Sequence, residues 1–337
     1  MIEIRGLHKE FAKAERRVVA LQDIDLTVAE REFVAILGPS GCGKSTLLNM
    51  VAGFDQPTRG SVQVAGEEIV APAPSRGVVF QEPALFPWLT VRKNVEMAMR
   101  FRGVAAVERQ SMALDLLRLV HLEGFAERRP HELSGGMRQR AMIAMALALR
   151  PAVVIGDEPT TALDVMVQAQ ILELLEHLRQ ELGLSLILIT HDLSVIAETC
   201  DRVLIMYAGR VAEEGSVDEV FRRPRHPYTQ KLLSAFPNIH ADRRTLEVIP
   251  GAPPDLRHPP PGCRFAPRCE FAMAVCSEVV PPEVSFDGVR VACHLYPPGS
   301  DGVAVTTPTA DAIGATVPLV EPPGDELPLE TELAGHE

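Results

Sequence analysis

The chain has 337 residues, of which 46% are hydrophobic and 23% charged, and its formal net charge is −12. This composition predicts a folded protein of one large domain with appendages, or of two domains, and the acidic balance argues against nucleic acid as a partner. The sequence holds no apolar run of bilayer length and no signal-peptide layout at its start. We therefore expect a cytoplasmic protein that meets a membrane only through a partner.

Strand patterns open the chain. Alternating apolar residues predict two paired strands, Ile2–Arg5 and Leu21–Val28, and a second pair on the two sides of Gly66. Together these strands predict an antiparallel sheet beside the rest of the fold. Phe11 lies near the end of the first strand, and it is either a half-buried strand residue or a platform on which an adenine ring stacks.

A glycine-rich segment, Gly38–Thr46, follows the apolar run Phe33–Leu37 and precedes a helical pattern. Strand, glycine loop and helix in this order are typical of a phosphate-binding P-loop, in which backbone N–H groups and the helix N-terminus face the phosphates. Lys44 is then placed to reach the β- and γ-phosphates, and Ser45 to bind Mg²⁺. The residues expected to bind a nucleoside triphosphate here are Gly38, Ser40, Gly41, Cys42, Gly43, Lys44, Ser45 and Thr46.

The next polar candidate is Gln81, which follows an apolar strand pattern beginning at Gly77. Ligands of open α/β sheets bind beyond the carboxyl ends of strands, so Gln81 is placed to bind Mg²⁺ or to orient water. The loop Ala84–Thr90 holds the only tryptophan and is either a core plug or, as we favour, a docking surface for another protein. Helical periodicity then runs over Val91–Gly124, and Phe101 is among its expected core residues.

A second phosphate cradle is predicted at the start of a later helix. Ser134, Gly135 and Gly136 lie there, followed by basic residues. A helix cap would explain Ser134 but not the glycine pair. Since one nucleotide does not need two cradles, we expect the second to serve a nucleotide held by another subunit.

Two carboxylates, Asp157 and Glu158, end the apolar strand pattern that begins at Val153. Asp157 is expected to hold Mg²⁺ directly or through water, and Glu158 to orient and polarise the attacking water beside the γ-phosphate. Another buried strand ends at His191, a predicted γ-phosphate contact. The alternation of strands and helices predicts an α/β fold, in which helices cover both faces of a mostly parallel sheet.

In combination these motifs resemble the ATP-binding subunits of ABC transporters, and the resemblance extends over nearly all of residues 1–298. The matching segments are Walker A at Gly38–Thr46, the Q-loop at Gln81, the signature at Leu133–Met137, Walker B at Val153–Glu158, the D-loop at Thr161–Asp164 and the switch histidine at His191. The resemblance implies a P-loop NTPase (RecA-like) core with an antiparallel β subdomain and a helical signature subdomain. It also implies that ATP and Mg²⁺ are used and that Glu158, His191 and Lys44 are catalytic.

Different branches of that family resemble the two halves of the chain. Residues 34–100 are similar to nitrate/sulfonate/taurine importer ATPases, and the chain from Pro130 onward is similar to oligopeptide, dipeptide and nickel importer ATPases. The resemblance implies an importer ATPase, foremost for di- or oligopeptides. It would act at the cytoplasmic face of the membrane with a second identical or different ATPase subunit, two permease subunits and an extracellular solute-binding protein. A nitrate/sulfonate/taurine-type importer and a soluble ABC ATPase are the alternatives.

Cysteines cluster near the end of the chain. Four of the six are Cys263, Cys269, Cys276 and Cys293. The segment is too small to build a core, so the thiols indicate a metal centre, either an iron–sulfur cluster or zinc; unligated thiols are the third possibility. The spacings are wider than the close pairs usual at zinc sites. The surrounding sequence resembles the extension of peptide-importer ATPases, and this resemblance implies a [4Fe–4S] cluster.

Three parts are thus expected along the chain. An ATP-binding domain at residues 1–235 precedes the small cysteine-rich C-terminal extension at residues 236–298. Residues 299–337 are rich in proline and acidic residues, and they are predicted to form a disordered tail because they cannot bury enough apolar surface to fold alone.

Overall fold

The structure is a computed structural model and describes residues 1–13, 16–161, 163–235 and 249–304. The strands are β1 (Ile2–Lys13), β2 (Arg16–Val28), β3 (Phe33–Leu37), β4 (Arg59–Val64), β5 (Glu67–Glu68), β6 (Arg76–Val79), β7 (Val153–Asp157), β8 (Ser185–Ile189), β9 (Arg202–Tyr207), β10 (Arg210–Ser216), β11 (Glu283–Phe286) and β12 (Val289–Ala292). The helices are α1 (Lys44–Ala52), α2 (Val91–Phe101), α3 (Ala106–Leu119), α4 (Gly135–Leu147), α5 (Val165–Leu182), α6 (Leu193–Thr199), α7 (Val217–Arg222), α8 (Pro227–Ser234) and α9 (Ala274–Glu278).

The smaller sheet is antiparallel, with the strand order β2-β1-β4-β5, as the sequence predicted. Its first strand is longer than predicted, because β1 continues past Arg5 to Lys13. The register between β1 and β2 shifts after Ile4, after Leu7 and after Lys9. Such bulges interrupt the alternation of apolar and polar residues, which is why the pattern ended early in the sequence.

The larger sheet has the order β11-β12-β10-β9-β3-β8-β7-β6. The five strands from β9 to β6 are parallel to their neighbours, and β10, β12 and β11 are antiparallel additions at one side. The predicted α/β fold is therefore confirmed. Because β3 lies between β9 and β8, the loop that follows β3 emerges in the middle of the edge where the parallel strands end, next to the ends of β8 and β7.

The two faces of this sheet are covered differently. In β3, Phe33, Ala35 and Leu37 belong to a core built mainly with helices α2 to α6. Val34 and Ile36 face the other way, into a core formed with α1 and the smaller sheet. The expectation of helices on both faces is thus met on one face, while the other is closed by one helix and a second sheet.

The helical region after residue 90 divides into α2 and α3. Val95 and Met99 of α2 are buried, but Phe101 is 83% exposed, so its prediction as a core residue is wrong. At about 100° per residue, two positions beyond Met99 is the opposite side of the helix. Leu117 and Val120, near the end of the region, are buried.

The C-terminal extension packs directly on the nucleotide-binding part. Its hairpin β11–β12 joins the larger sheet through antiparallel pairing of Val291 with Glu213 in β10. Phe265 lies 5.2 Å from Tyr207 and 5.5 Å from Tyr228, measured between ring centroids. Along the described part of the chain, no helix is long and apolar enough to cross a membrane. The predicted tail falls largely outside the described residues, which end at position 304.

Candidate nucleotide site

The loop from Gly38 to Gly43 connects β3 to α1 and has the backbone of a phosphate cradle. Gly38 has φ 154° and Gly43 has φ 106°, a region in which a Cβ is unfavourable. A Cβ on Gly43 would lie 2.7 Å from the carbonyl oxygen of Ala20, and one on Gly38 would collide with the carbonyl oxygen of Met206. The loop is therefore pressed against β2 and the end of β9, and only glycine fits at both positions.

Lys44 is the first residue of α1, and its side chain points back into this loop. The residue is only 6% exposed, and its Nζ donates to the carbonyl oxygens of Gly38 and Pro39 at 2.8 and 3.2 Å. The ammonium group thus occupies the centre of the cradle. Ser40, Gly41 and Ser45 are exposed around it, and Thr46 is half-buried, so the cradle opens to solvent.

Asp157 ends β7 next to the cradle. Burial raises the pKa of Asp157 above its ordinary value, and the nearby Ser45 hydroxyl and the charge of Lys44 oppose that rise. A cation at this point would favour the ionised carboxylate further. Ser45 and Asp157 together offer two of the oxygen ligands that Mg²⁺ prefers.

Glu158 follows directly, and both of its carboxylate oxygens are held. Its Oε1 lies 2.5 Å from Nε2 of His191, and its Oε2 accepts from the hydroxyl of Thr161 at 3.1 Å. The backbone at Glu158 has φ 48°, a left-handed conformation that costs free energy for a residue with a side chain, and its N–H donates to Ile189 at 3.0 Å. The structure therefore brings Glu158 and His191, two separately predicted site residues, into contact, and it adds Thr161, which the sequence placed in the D-loop without a role.

Gln81 lies just beyond β6, the strand next to β7, and its side chain is exposed. The preceding residue, Phe80, is fixed by a hydrogen bond of 3.3 Å from Gln139 of α4 to its carbonyl oxygen. In the adjoining loop Trp88 is 68% exposed and packs on Phe86 with ring centroids 5.6 Å apart. The interpretation of Trp88 as a core plug is thus wrong. Trp88 and Phe86 instead form an exposed apolar surface.

The signature residues lie at the start of α4. Ser134 is the N-cap, and its Oγ accepts from the N–H of Met137 at 3.3 Å. A Cβ on Gly135 or Gly136 would meet Leu163 at 3.2 Å or Val167 at 2.5 Å, respectively. The glycines therefore allow α4 to begin close against the start of α5.

Phe11, the candidate adenine platform, is 45% exposed on β1. The Nζ of Lys9 lies 4.9 Å from its ring centroid and is also paired with Asp55 at 2.6 Å. The adenine contact of Phe11 stays a prediction.

The four clustered cysteines come together from separate segments of the extension. Cys276 and Cys293 are buried, Cys263 and Cys269 are half-buried, and the N–H of Cys263 donates to the carbonyl of Cys276 at 2.8 Å. Burial, and then the nearby thiols of the other three, raise the pKa of Cys293 to about 12. Within the described ranges, no group of three or more His, Cys, Asp or Glu side chains is arranged to hold a metal ion. The thiols are neighbours, but they are not in a ligand geometry.

Known proteins are similar to most of this chain. A family model for ABC transporters matches residues 21–161, and one for the C-terminal region of oligopeptide/dipeptide transporters matches residues 212–276. A Brucella abortus protein named as a peptide import ATP-binding protein is 43% identical over 300 residues, covering 83% of this chain and 90% of that protein. A Sinorhizobium fredii protein named as a probable peptide ABC transporter ATP-binding protein is 43% identical over 303 residues, with the same coverage.

Two solved structures are also similar. The ATP-binding cassette MJ0796, solved as a post-hydrolysis dimer with ADP and Pi, matches with a TM-score of 0.59 and 35% identity over 64% of this chain and 99% of its own. The protein cbiO1 from Clostridium perfringens, part of the transporter complex cbiONQ, matches with a TM-score of 0.61 and 31% identity over 66% of this chain and 90% of its own.

Proposed function

The chain belongs to the ATP-binding subunits of ABC transporters, and from that premise we propose that it hydrolyses ATP to power the uptake of di- or oligopeptides through a membrane permease. One observation carries the proposal: a single chain joins the nucleotide cradle to a C-terminal region of the oligopeptide/dipeptide type. The similarity to peptide import proteins covers 83% of the chain. It therefore extends into the half in which the sequence also resembles sulfonate importer ATPases.

At the nucleotide, we assign phosphate binding to the loop Gly38–Thr46. Lys44 would exchange its two backbone carbonyl partners for oxygens of the β- and γ-phosphates, since an ammonium is compensated more strongly by an anion than by a neutral carbonyl. Ser45, Asp157 and Gln81 would hold Mg²⁺, which neutralises charge that develops on the phosphates.

For hydrolysis, Glu158 is the base. Its carboxylate takes a proton from the water whose oxygen forms the new bond to the γ-phosphorus, while the bond from that phosphorus to the β–γ bridging oxygen breaks. His191 and Thr161, which hold the two carboxylate oxygens, fix the direction in which the base points. His191 would also contact the γ-phosphate of a nucleotide held in the cradle.

The assembly follows from the position of the signature residues. Ser134, Gly135 and Gly136 form a helix N-terminus that borders Leu163 and Val167. Since one nucleotide does not need two cradles, we assign them to the nucleotide held by a second ATPase subunit, identical or different. The exposed Trp88 and Phe86 would meet one of two permease subunits at the cytoplasmic face of the membrane. An extracellular solute-binding protein would deliver the peptide.

Transport itself tests the proposal. In liposomes that contain the chain with its permease subunits and binding protein, we expect a radiolabelled dipeptide to accumulate when ATP is enclosed with the ATPase, and taurine not to accumulate. The measurement is the label retained by the liposomes. Accumulation of taurine instead of the peptide would favour the sulfonate-type importer. ATP hydrolysis that no permease preparation changes would favour a soluble ABC ATPase.

We also propose that Cys263, Cys269, Cys276 and Cys293 hold a [4Fe–4S] cluster, with zinc as the alternative. The residues fit by chemistry, because four neighbouring thiols offer the thiolate ligands that iron takes. The positive charge of the metal would offset the burial that raises the pKa of Cys263, Cys269 and Cys293. A small cavity of about 40 Å³ borders Cys263, and Arg210 lines it too. The Nε of Arg210 is buried and lacks a hydrogen-bond partner within the described residues, so it is available to an anionic group there. When bound, a cluster would supply a redox-active anion at this point.

Metal analysis checks this assignment. The chain purified without oxygen should contain about four iron and four sulfide per polypeptide and absorb broadly in the visible range, as thiolate-bound clusters do. Cys276→Ser should lose most of the iron, because it removes a buried ligand. Cys200→Ser is the matched control, since Cys200 is also buried but lies at the end of α6, outside the group of four. Zinc without sulfide would replace the cluster by a zinc site, and a metal-free chain would contradict both.

A further inference from the structure

A buried arginine joins the cysteine-rich extension to the nucleotide site. Arg264 directly follows Cys263 and is only 5% exposed. Its Nη1 donates to the carbonyl oxygen of Ala208, and its Nη2 donates to Oε1 of Gln22. The two acceptors lie in the turn between β9 and β10 and in β2, far away in the sequence, so one side chain of the extension ties together two elements of the nucleotide-binding part.

The β9–β10 turn and strand β2 both contact the P-loop. Next to Ala208, the N–H of Gly209 donates to the carbonyl oxygen of Cys42 in the P-loop at 2.8 Å. The carbonyl of Gly209 in turn accepts from the N–H of Gln22 at 2.8 Å. A continuous path of hydrogen bonds therefore runs from Arg264 through the β9–β10 turn to the residue that precedes Gly43 and Lys44.

The residues along this path of hydrogen bonds are tightly packed. A Cβ on Gly209 would lie 2.5 Å from the carbonyl oxygen of Ala20 and 2.9 Å from Nη1 of Arg264. Ala20 is also the residue against which Gly43 of the P-loop is pressed, with 2.7 Å to a Cβ there. Since well-packed groups transmit displacements rather than absorb them, a shift of Arg264 would reach the cradle.

The other end of the cysteine segment is docked in a similar way. Arg268 precedes Cys269, and its Nη1 donates to the hydroxyl of Tyr207, the last residue of β9, at 3.0 Å. Phe265 packs its ring edge-on against the same tyrosine. Cys263 and Cys269 are thus each next to an arginine that contacts the end of β9 or the turn after it. The conformation of the segment between these cysteines therefore depends on the position of β9, and the position of β9 depends on the segment.

We propose that Arg264 is a positioning residue for the P-loop, through which the state of the four-cysteine group sets the affinity of the chain for ATP. The inference rests on the proposed ATP binding at Gly38–Thr46, but not on which metal the cysteines hold. Coupling of this kind is reciprocal, so bound ATP would also stabilise the cysteine group.

A double-mutant cycle on the full-length chain tests the coupling. The changes are Arg264→Gln, which removes the two-sided donor, and Cys293→Ser, which disturbs the cysteine group far from residue 264 in the sequence. Calorimetry with ATP in the absence of Mg²⁺ gives Kd for each chain. Each single change should weaken binding about fivefold, at the low end of measured couplings between sites. The double variant should bind like the Arg264→Gln single variant, because the connection is already broken.

Two further variants separate positioning from general destabilisation. Arg257→Gln is the matched control, because Arg257 belongs to the same extension but is exposed, and among the described residues its side chain pairs only with Asp255. It should leave Kd unchanged. Arg264→Lys keeps a positively charged donor on a single nitrogen but loses the fork that reaches two acceptors. Its Kd for ATP should lie between those of wild type and Arg264→Gln. Hydrogen exchange at the amides of Cys42–Thr46 should quicken in Arg264→Gln and in Cys293→Ser, which shows the effect at the cradle even where melting temperatures also fall.

Other results would overturn the inference. If Arg264→Gln binds ATP like wild type, Arg264 does not position the P-loop. If the effects of Arg264→Gln and Cys293→Ser simply multiply in the double variant, the two sites act independently and the coupling is absent. If the wild-type chain binds no ATP at all, the proposed function itself is wrong, which is a different result from either of these.

Discussion

Replacement of Glu158 by glutamine is expected to lower ATP hydrolysis by about 10²- to 10⁴-fold while ATP continues to bind, because a positioned general base contributes a rate factor of that order. Glutamine has nearly the same shape and can keep the contacts with His191 and Thr161 that hold the side chain. Its amide cannot accept the proton of the attacking water. Phosphate release under excess ATP measures the loss, and calorimetry checks that binding remains.

The same variant should trap the ATP-bound pair of subunits. Hydrolysis is the step that would release the pair, so Glu158→Gln with ATP is expected to elute as a dimer in size-exclusion chromatography, whereas wild type with ADP elutes as a monomer. Glu181→Gln is a suitable control, since Glu181 is exposed on α5 and, in the part of the chain that the structure describes, pairs only with His177. Hydrolysis by Glu158→Gln at the wild-type rate would disprove the assignment of the base.

Lys44→Ala is expected to weaken ATP binding on the order of 10²-fold, because charge-assisted hydrogen bonds to an anion contribute about 1.5–3 kcal/mol each. No other side chain of the loop Gly38–Thr46 carries a positive charge. Calorimetry or competition with a fluorescent ATP analogue would measure the change. Lys93→Ala, which removes an exposed lysine at the start of α2, should bind ATP like wild type.

The folded state of Lys44→Ala needs its own check. The buried Nζ also donates to the carbonyl oxygens of Gly38 and Pro39. Its removal could therefore lower the free energy of unfolding as well as the affinity, and a melting curve distinguishes the two effects. A folded Lys44→Ala chain that binds ATP as tightly as wild type would contradict the assignment of the cradle.

The sequence by itself determined the parts of the site that are local along the chain. In the P-loop, strand, glycines, lysine and helix follow one another without interruption, so one short segment contains both the pattern and its structural context. The same holds for Asp157 and Glu158 at the end of β7 and for the cap at Ser134. The α/β fold followed from the succession of strands and helices, because parallel strands require such crossovers.

Only the tertiary structure decided which distant residues meet. The bond from His191 to Glu158 joins the ends of β8 and β7, and no spacing in the sequence predicts its length. Phe101 was wrongly assigned to the core of the protein. The sequence pattern showed a helix in this region, but it did not show which side of α2 would face the core. The bulges of β1 likewise depend on pairing with β2.

The connection through Arg264 is the clearest case. An arginine beside a cysteine in a proline-rich segment looks like a solvated residue, since arginine is almost never fully buried unless paired. Its burial is stable only because Ala208 and Gln22, more than 50 residues away in the sequence, provide acceptors. Residue type and local spacing determined the chemistry of the nucleotide cradle. Only the long-range packing of the extension on the β9–β10 turn decided which groups support the cradle.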